Sequence, residues 1–334
     1  MTLRANHLTV LRVILLPLPY FLIYQGTYGR VVALLIFTAL GITDYLDGFL
    51  ARRQGTTRLG KLLDPIADKI FLVVIMVCLV DLEILPYWLV IPIFMRESLV
   101  AEIRRAGITL EVTELAKIKT TIQMAASGLI FLLDTFHSKV VLVAFLSGAI
   151  LATLFLAVAL FIRDGTISSR MKWALGLLGL ALFFAALFPE KAIFLSYGVF
   201  IVIITLVSGG QYILKGIPEI ISKGPSQCVR ALITTIFPIF PLVAMGDLDH
   251  QDIWAVLVVL SLEYATQGLD AMERGDTGID LSRIKAYVLL PVLSLLLIWP
   301  GIDTHMAFKT GAFLYATYLL GDFILNKKVV FDNY

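Results

Sequence analysis

The sequence predicts an all-α, polytopic membrane protein with about 12 transmembrane helices. Three observations predict it. Of its 334 residues, 59% are apolar. Charged residues make up only 16%, against roughly 25% in a soluble domain, and the mean hydropathy is +0.91. The apolar residues fall in runs of about 17 to 25, the length a helix needs to cross hydrocarbon.

These runs lie near 8–24, 30–51, 60–80, 85–105, 117–134, 139–162, 172–188, 192–214, 229–246, 253–272, 284–299 and 306–325. The first resembles a signal peptide in length. Arg12 inside it, and the poor cleavage site at Gln25-Gly26-Thr27-Tyr28, favour a retained helix. With the N-terminus placed in the cytoplasm, the inside loops hold 20 of the 27 basic residues. The outside loops hold only Arg30, Lys139 and Lys191. This asymmetry puts both termini on the cytoplasmic side of the cell membrane. The best internal boundary is 215–230, KGIPEIISKGPSQCVR, where Pro, Gly and Ser mix with charge. Two cysteines, Cys78 and Cys228, give neither a disulfide framework nor a zinc pattern. No nucleic-acid partner is expected.

The chemistry concentrates in one stretch. Asp44, Asp47, Asp64 and Asp68 stand in otherwise apolar surroundings, where carboxylates are costly and mark ions, substrates or proton paths. Asp44 and Asp47 are three apart and Asp64 and Asp68 four apart, so each pair shares a helix face. If the two helices pack antiparallel, four carboxylates converge. Their repulsion in low dielectric is relieved most simply by hard divalent cations.

The full pattern is Asp44-x-x-Asp47-Gly48-x-x-Ala51-Arg52, then Gly60-x-x-x-Asp64-x-x-x-Asp68. It resembles the signature of the CDP-alcohol phosphotransferases. The resemblance implies transfer of a phosphatidyl group from a CDP-linked lipid to an alcohol, with release of CMP, on two divalent ions, Mg2+ or Mn2+. It implies that Asp44, Asp47, Asp64 and Asp68 are metal ligands and that Asp68 is also the general base. Gly48, Ala51 and Gly60 would leave room for the nucleotide, and Arg52 would meet its pyrophosphate. Asn6 and Thr9, in Asn6-x-x-Thr9-x-x-Arg12, resemble the family's N-terminal CDP-binding residues; Ala5 replaces the usual proline. A homodimer in membrane lipid is the common assembly of such proteins.

Two further stretches resemble the phosphatidylglycerophosphate synthase branch. One is Arg96-Glu97 with Arg104; the other is Lys117-x-Lys119-Thr120-x-x-Gln123. Arg96, Arg104, Lys117 and Lys119 are therefore expected to bind an acceptor phosphate; positive-inside anchoring is the plainer reading of the last three. The acceptor implied is sn-glycerol 3-phosphate, with inositol phosphate, phosphatidylglycerol or serine as alternatives. A twelve-helix transporter is the competing class.

Thr205 to Gly216 resembles the closing helix of those synthases. The catalytic unit is therefore expected over 1–216, with two extra helices inserted within 135–190. Residues 217–334 would add further membrane helices. Arg230, Glu263-Tyr264, Gly268 and Ala271 repeat the spacing of Arg12, Asp44-Tyr45, Gly48 and Ala51 within a residue. That region reads either as ordinary membrane helices and their loop or as a degenerate, non-catalytic repeat.

Overall fold

Backbone polar groups in hydrocarbon must find partners within their own segment, and helices provide them. The computed structural model describes residues 5–54, 58–108, 114–166, 169–246, 248–270 and 304–326, and among these every regular element is a helix. The helices are α1 (Ala5–Leu15), α2 (Pro17–Leu22), α3 (Gly26–Gln54), α4 (Arg58–Asp81), α5 (Tyr87–Arg105), α6 (Glu114–Phe136) and α7 (Lys139–Asp164). They continue as α8 (Ser169–Leu187), α9 (Glu190–Ser222), α10 (Pro225–Ile236), α11 (Ile239–Ala244), α12 (Ile253–Asp270) and α13 (Thr304–Asn326).

Each expected run on described residues coincides with a helix, with one kind of correction. The runs at 8–24 and 229–246 are each broken in two, at Leu16–Pro17 and at Phe237–Pro238. Proline lacks the N–H that would continue the ladder, and its ring crowds the preceding turn. The run at 284–299 lies outside the described residues. Among the described residues, four stretches are long and apolar enough to cross a membrane by length and composition: Gly26–Thr43, Lys139–Ile162, Glu190–Ser222 and Pro225–Ala244. Helices α4 and α5 carry charges in mid-helix, and these charges build the site described below.

Helix α4 is the axis of the fold. Every residue from Phe71 to Val80 is buried, as a helix apolar all round must be. Helices α1, α5, α6 and α12 pack around it. Helices α7 and α8 form a hairpin on one another, inserted between α6 and α9. Its outer face is apolar, with Val140, Leu151, Phe155 and Ile162 all exposed, which suits lipid rather than water. The hairpin falls within 135–190.

Helix α9 runs along α5 and α6. Its closest approach to α5 is made by Gly198, Gly209 and Gly216, where an added Cβ would stand 2.4 Å from Leu89, 2.6 Å from Arg96 and 2.7 Å from Ile103. Small residues let helices approach this closely in membranes.

Candidate active site

Helix α1 meets α4 at its N-terminal half and holds the two aspartates there. Asp64 and Asp68 stand one turn apart on α4 and are both partly exposed. From α1, the buried Thr9 hydroxyl donates to Asp64 Oδ1 at 2.9 Å. One turn on, the fully buried Arg12 donates from Nη1 to Asp68 Oδ1 at 3.0 Å. Thr9, expected to touch CDP, therefore also orients a carboxylate. Gly60 is buried on the first turn of α4. Asn6 lies in α1, and Asp44, Asp47, Gly48, Ala51 and Arg52 lie in α3. The side chains of these six fall outside the described residues.

The donors that are described fit a hard cation: carboxylate oxygens at i and i+4, each held by a neighbouring hydroxyl or guanidinium. Another acidic grouping, Asp249, Asp252 and His305, lies at the opposite end of α12. There Lys309 already pairs with Asp252 at 2.7 Å.

Two of the expected acceptor residues, Arg96 and Lys119, come together on one carboxylate. Glu97 on α5 is buried and accepts from two cations, Arg96 Nη1 at 3.0 Å and the ammonium of Lys119 on α6. A second Arg96 nitrogen, Nη2, donates to Ser208 Oγ on α9 at 3.2 Å. Its Nε lies against Gly209 and has no hydrogen-bond partner among the described residues. Arg104, exposed at the end of α5, donates to Tyr212 Oη at 3.2 Å and lies over the same ring. Gln123, in the run that suggested the synthase branch, donates to Thr205 Oγ1 on α9 at 2.7 Å. Thr205, Ser208, Gly209 and Tyr212 thus occupy one face of α9, at helical spacing, and hold Gln123, Arg96 and Arg104. Lys117 lies in α6, with its side chain outside the described residues.

Sequence reasoning passed over two residues here. Arg12 was visible as a charge inside an apolar helix, but its partner is 56 residues away. Lys69 follows Asp68 directly and shares the electrostatic field of Glu97, Lys119, Arg104 and Arg96. Lys69, Arg96 and Lys119 act on one buried carboxylate, Glu97, and the exposed Arg104 adds its charge to the same field, leaving an excess of positive charge. A cation excess of this kind favours an anion.

A family model described as CDP-alcohol phosphatidyltransferase matches residues 2–162. A Mycobacterium tuberculosis protein named probable phosphatidylglycerophosphate synthase is 37% identical over 157 residues, which is 45% of this chain and 75% of the relative. The chain belongs to the CDP-alcohol phosphatidyltransferase family. An Escherichia coli K12 protein named CDP-diacylglycerol–glycerol-3-phosphate 3-phosphatidyltransferase is 37% identical over 130 residues, covering 36% of this chain and 71% of its own length. A Cereibacter sphaeroides protein of the same name is 37% identical over 137 residues, covering 38% of this chain; the match spans 62% of that relative's length. No solved structure matches. Family membership sets aside the transporter alternative, and this family generally depends on divalent metal. The matched region ends in α7, so α8 to α13 lie beyond it.

Proposed function

We propose that this phosphatidyltransferase-family protein transfers a phosphatidyl group from CDP-diacylglycerol to sn-glycerol 3-phosphate, giving phosphatidylglycerophosphate and CMP. The observation that carries the reading is the cation excess around Glu97, built from Lys69, Arg96, Arg104 and Lys119 beside Asp64 and Asp68. A phosphorylated acceptor has use for that charge; free serine has much less. The names of the bacterial relatives agree with it.

In this reading Asp44, Asp47, Asp64 and Asp68 hold two divalent ions, Mg2+ or Mn2+. Such ions would neutralise the diphosphate of the CDP-lipid and the CMP that leaves, and so favour in-line displacement. The chain's own groups do the rest. Thr9 and Arg12 fix the Asp64 and Asp68 carboxylates. The basic set anchors the acceptor phosphate and so aims its hydroxyl oxygen at the lipid-bearing phosphorus. As the new O–P bond forms, the hydroxyl proton passes to Asp68 and the bond to CMP breaks. Asn6, Gly48, Ala51, Arg52 and Gly60 cradle the nucleotide, and Lys117 extends the acceptor site. Positioning and electrostatics supply most of the acceleration in such transfers.

The full reading is a homodimer in the cytoplasmic membrane. Each chain would have twelve spans, with both termini and the active site on the cytoplasmic face. The basic bias of the inside loops supports the orientation. Residues 1–216 carry the full motif, and 217–334 add helices that lack aspartates at the spacing of Asp44, Asp47, Asp64 and Asp68. The breaks at Pro17 and Pro238, and the buried arginines Arg12 and Arg230 just before them, support descent of the second segment from a repeat.

The test is CMP release by detergent-solubilised protein given CDP-diacylglycerol and magnesium, with a panel of acceptors. Glycerol 3-phosphate should be turned over fastest. Preference for inositol phosphate would move the assignment to a sibling reaction, and preference for free serine or phosphatidylglycerol would remove the role given to the basic set.

A further inference from the structure

Helix α12 lies far beyond the region the family model matches, yet it packs along both α4 and α5. At Gly268 the contact is so close that an added Cβ would stand 2.5 Å from Ile66 Cγ1, between Asp64 and Asp68 in the α4 sequence. One turn earlier on α12, Tyr264 is almost fully buried. Its hydroxyl donates to the Phe94 carbonyl at 2.9 Å and accepts from Ser98 Oγ at 3.3 Å, both on α5. Its ring meets Phe94 edge to face at 5.9 Å. With the hydroxyl anchored and one ring edge packed, the plane of the ring is set. The Lys69 ammonium of α4 stands 5.3 Å from its centroid.

A ring face is an unusual seat for a cation in this cluster, because it attracts the ammonium without neutralising it. Glu97, whose charge acts on Lys69, already takes Arg96 and Lys119. A lysine on a flexible four-carbon stem would otherwise spread over many rotamers. We propose that Tyr264 is a positioning residue: its ring holds Lys69 in the acceptor-phosphate set with its charge intact, so that the C-terminal third of the chain forms part of the acceptor site. This rests on the reading that the acceptor is a phosphorylated alcohol.

The test measures CMP release by the full-length protein, varying glycerol 3-phosphate and CDP-diacylglycerol separately. Tyr264→Leu removes the ring and should raise the acceptor KM about three- to thirtyfold, the range of a partly desolvated cation–ring contact, with the CDP-diacylglycerol KM unchanged. Tyr264→Phe keeps the ring and should stay within about twofold of the parent. In a Lys69→Met background, Tyr264→Leu should have no further effect on the acceptor KM. A series of progressively fluorinated phenylalanines at 264 keeps the packing shape while draining the negative ring face, and the acceptor KM should climb stepwise with fluorine. A flat fluorine series, additive effects of the two substitutions, or equal rises in both KM values would overturn the assignment while leaving the proposed reaction in place. If the parent protein ignores glycerol 3-phosphate but accepts an uncharged alcohol, the reaction falls and this inference falls with it.

Discussion

Arg12 of α1 and Asp68 of α4 form an ion pair at 3.0 Å in which the arginine is wholly buried and the aspartate 30% exposed. The arrangement is asymmetric in a useful way. The guanidinium end is locked into the helix packing, while the carboxylate reaches the surface of the site. A carboxylate anchored by a charge-assisted hydrogen bond keeps its place when it receives a proton.

Two substitutions separate the halves of this pair. Asp68→Asn keeps an oxygen for Arg12 to donate to, so the fold should survive, but the amide is no base. Turnover should drop by about 10²–10⁴-fold, the usual range for a lost general base. Arg12→Met removes a hydrogen bond to a charged group and should cost about 1.5–3 kcal/mol of stability, along with a fall in kcat. Thermal melting and CMP release read the two effects. Near-normal turnover in folded Asp68→Asn would remove the proton-acceptor role, and an unchanged kcat in Arg12→Met would show that Asp68 needs no such anchor.

Metal linkage offers a second check. A cation that binds only the folded state stabilises it by mass action, by about 2.7 kcal/mol at a hundred times its Kd. Magnesium should therefore raise the melting temperature of the parent protein, and EDTA should reverse the rise. Asp44→Ala and Asp64→Ala should each abolish it. A shift of full size in either variant would mean that the ion sits elsewhere, with Asp249, Asp252 and His305 the next place to look.

How far the sequence foretold these features depended on distance along the chain. Helix positions were legible because hydrocarbon forces long apolar runs to be helical. The internal breaks were missed at Pro17 and Pro238, because apolar composition alone hides the missing N–H of proline. The aspartate motif was legible because its spacing lies within two adjacent helices. The links that hold it were not: Thr9 is 55 residues from Asp64, and Arg96 is 112 from Ser208. Side-chain partners so far apart follow from helix packing, which no local pattern encodes. The same blindness hid Tyr264, 170 residues from the Phe94 carbonyl it binds. Its stretch reads either as ordinary membrane helix or as a degenerate echo of the aspartate motif, and neither reading points to α5.

Adjacent glycines on α9 give a controlled test of Arg96. A Cβ at Gly209 would lie 2.6 Å from Arg96 Nε, whereas a Cβ at Gly210 meets nothing within 4 Å. Gly209→Ala should push the guanidinium off Ser208 and Glu97, raising the acceptor KM by about ten- to a hundredfold if the charge-assisted bonds of about 1.5–3 kcal/mol are lost. Gly210→Ala, with the same change in helix propensity, should leave kinetics alone. Identical behaviour of the two variants would show that Arg96 has no part in holding the acceptor.

Burial separates the last two acceptor residues. Arg104 is exposed and donates to Tyr212, whereas Lys119 is 7% exposed and shares Glu97 with Arg96. Arg104→Ala should therefore raise the acceptor KM with little change in melting temperature, since surface charges contribute little to stability. Tyr212→Phe should reproduce part of that effect, because the ring contact remains while the hydroxyl is lost. Lys119→Ala should do two things at once. It removes a cation from the acceptor site, and it leaves the buried Glu97 with one fewer partner, which is costly for a charge inside a membrane protein. Its melting temperature should fall along with acceptor affinity, and Lys119→Arg should recover stability better than affinity, because the guanidinium keeps the charge but not the compact reach of an ammonium. If Arg104→Ala proves as destabilising as Lys119→Ala while both KM values rise together, the cluster is structural and the acceptor must be held elsewhere.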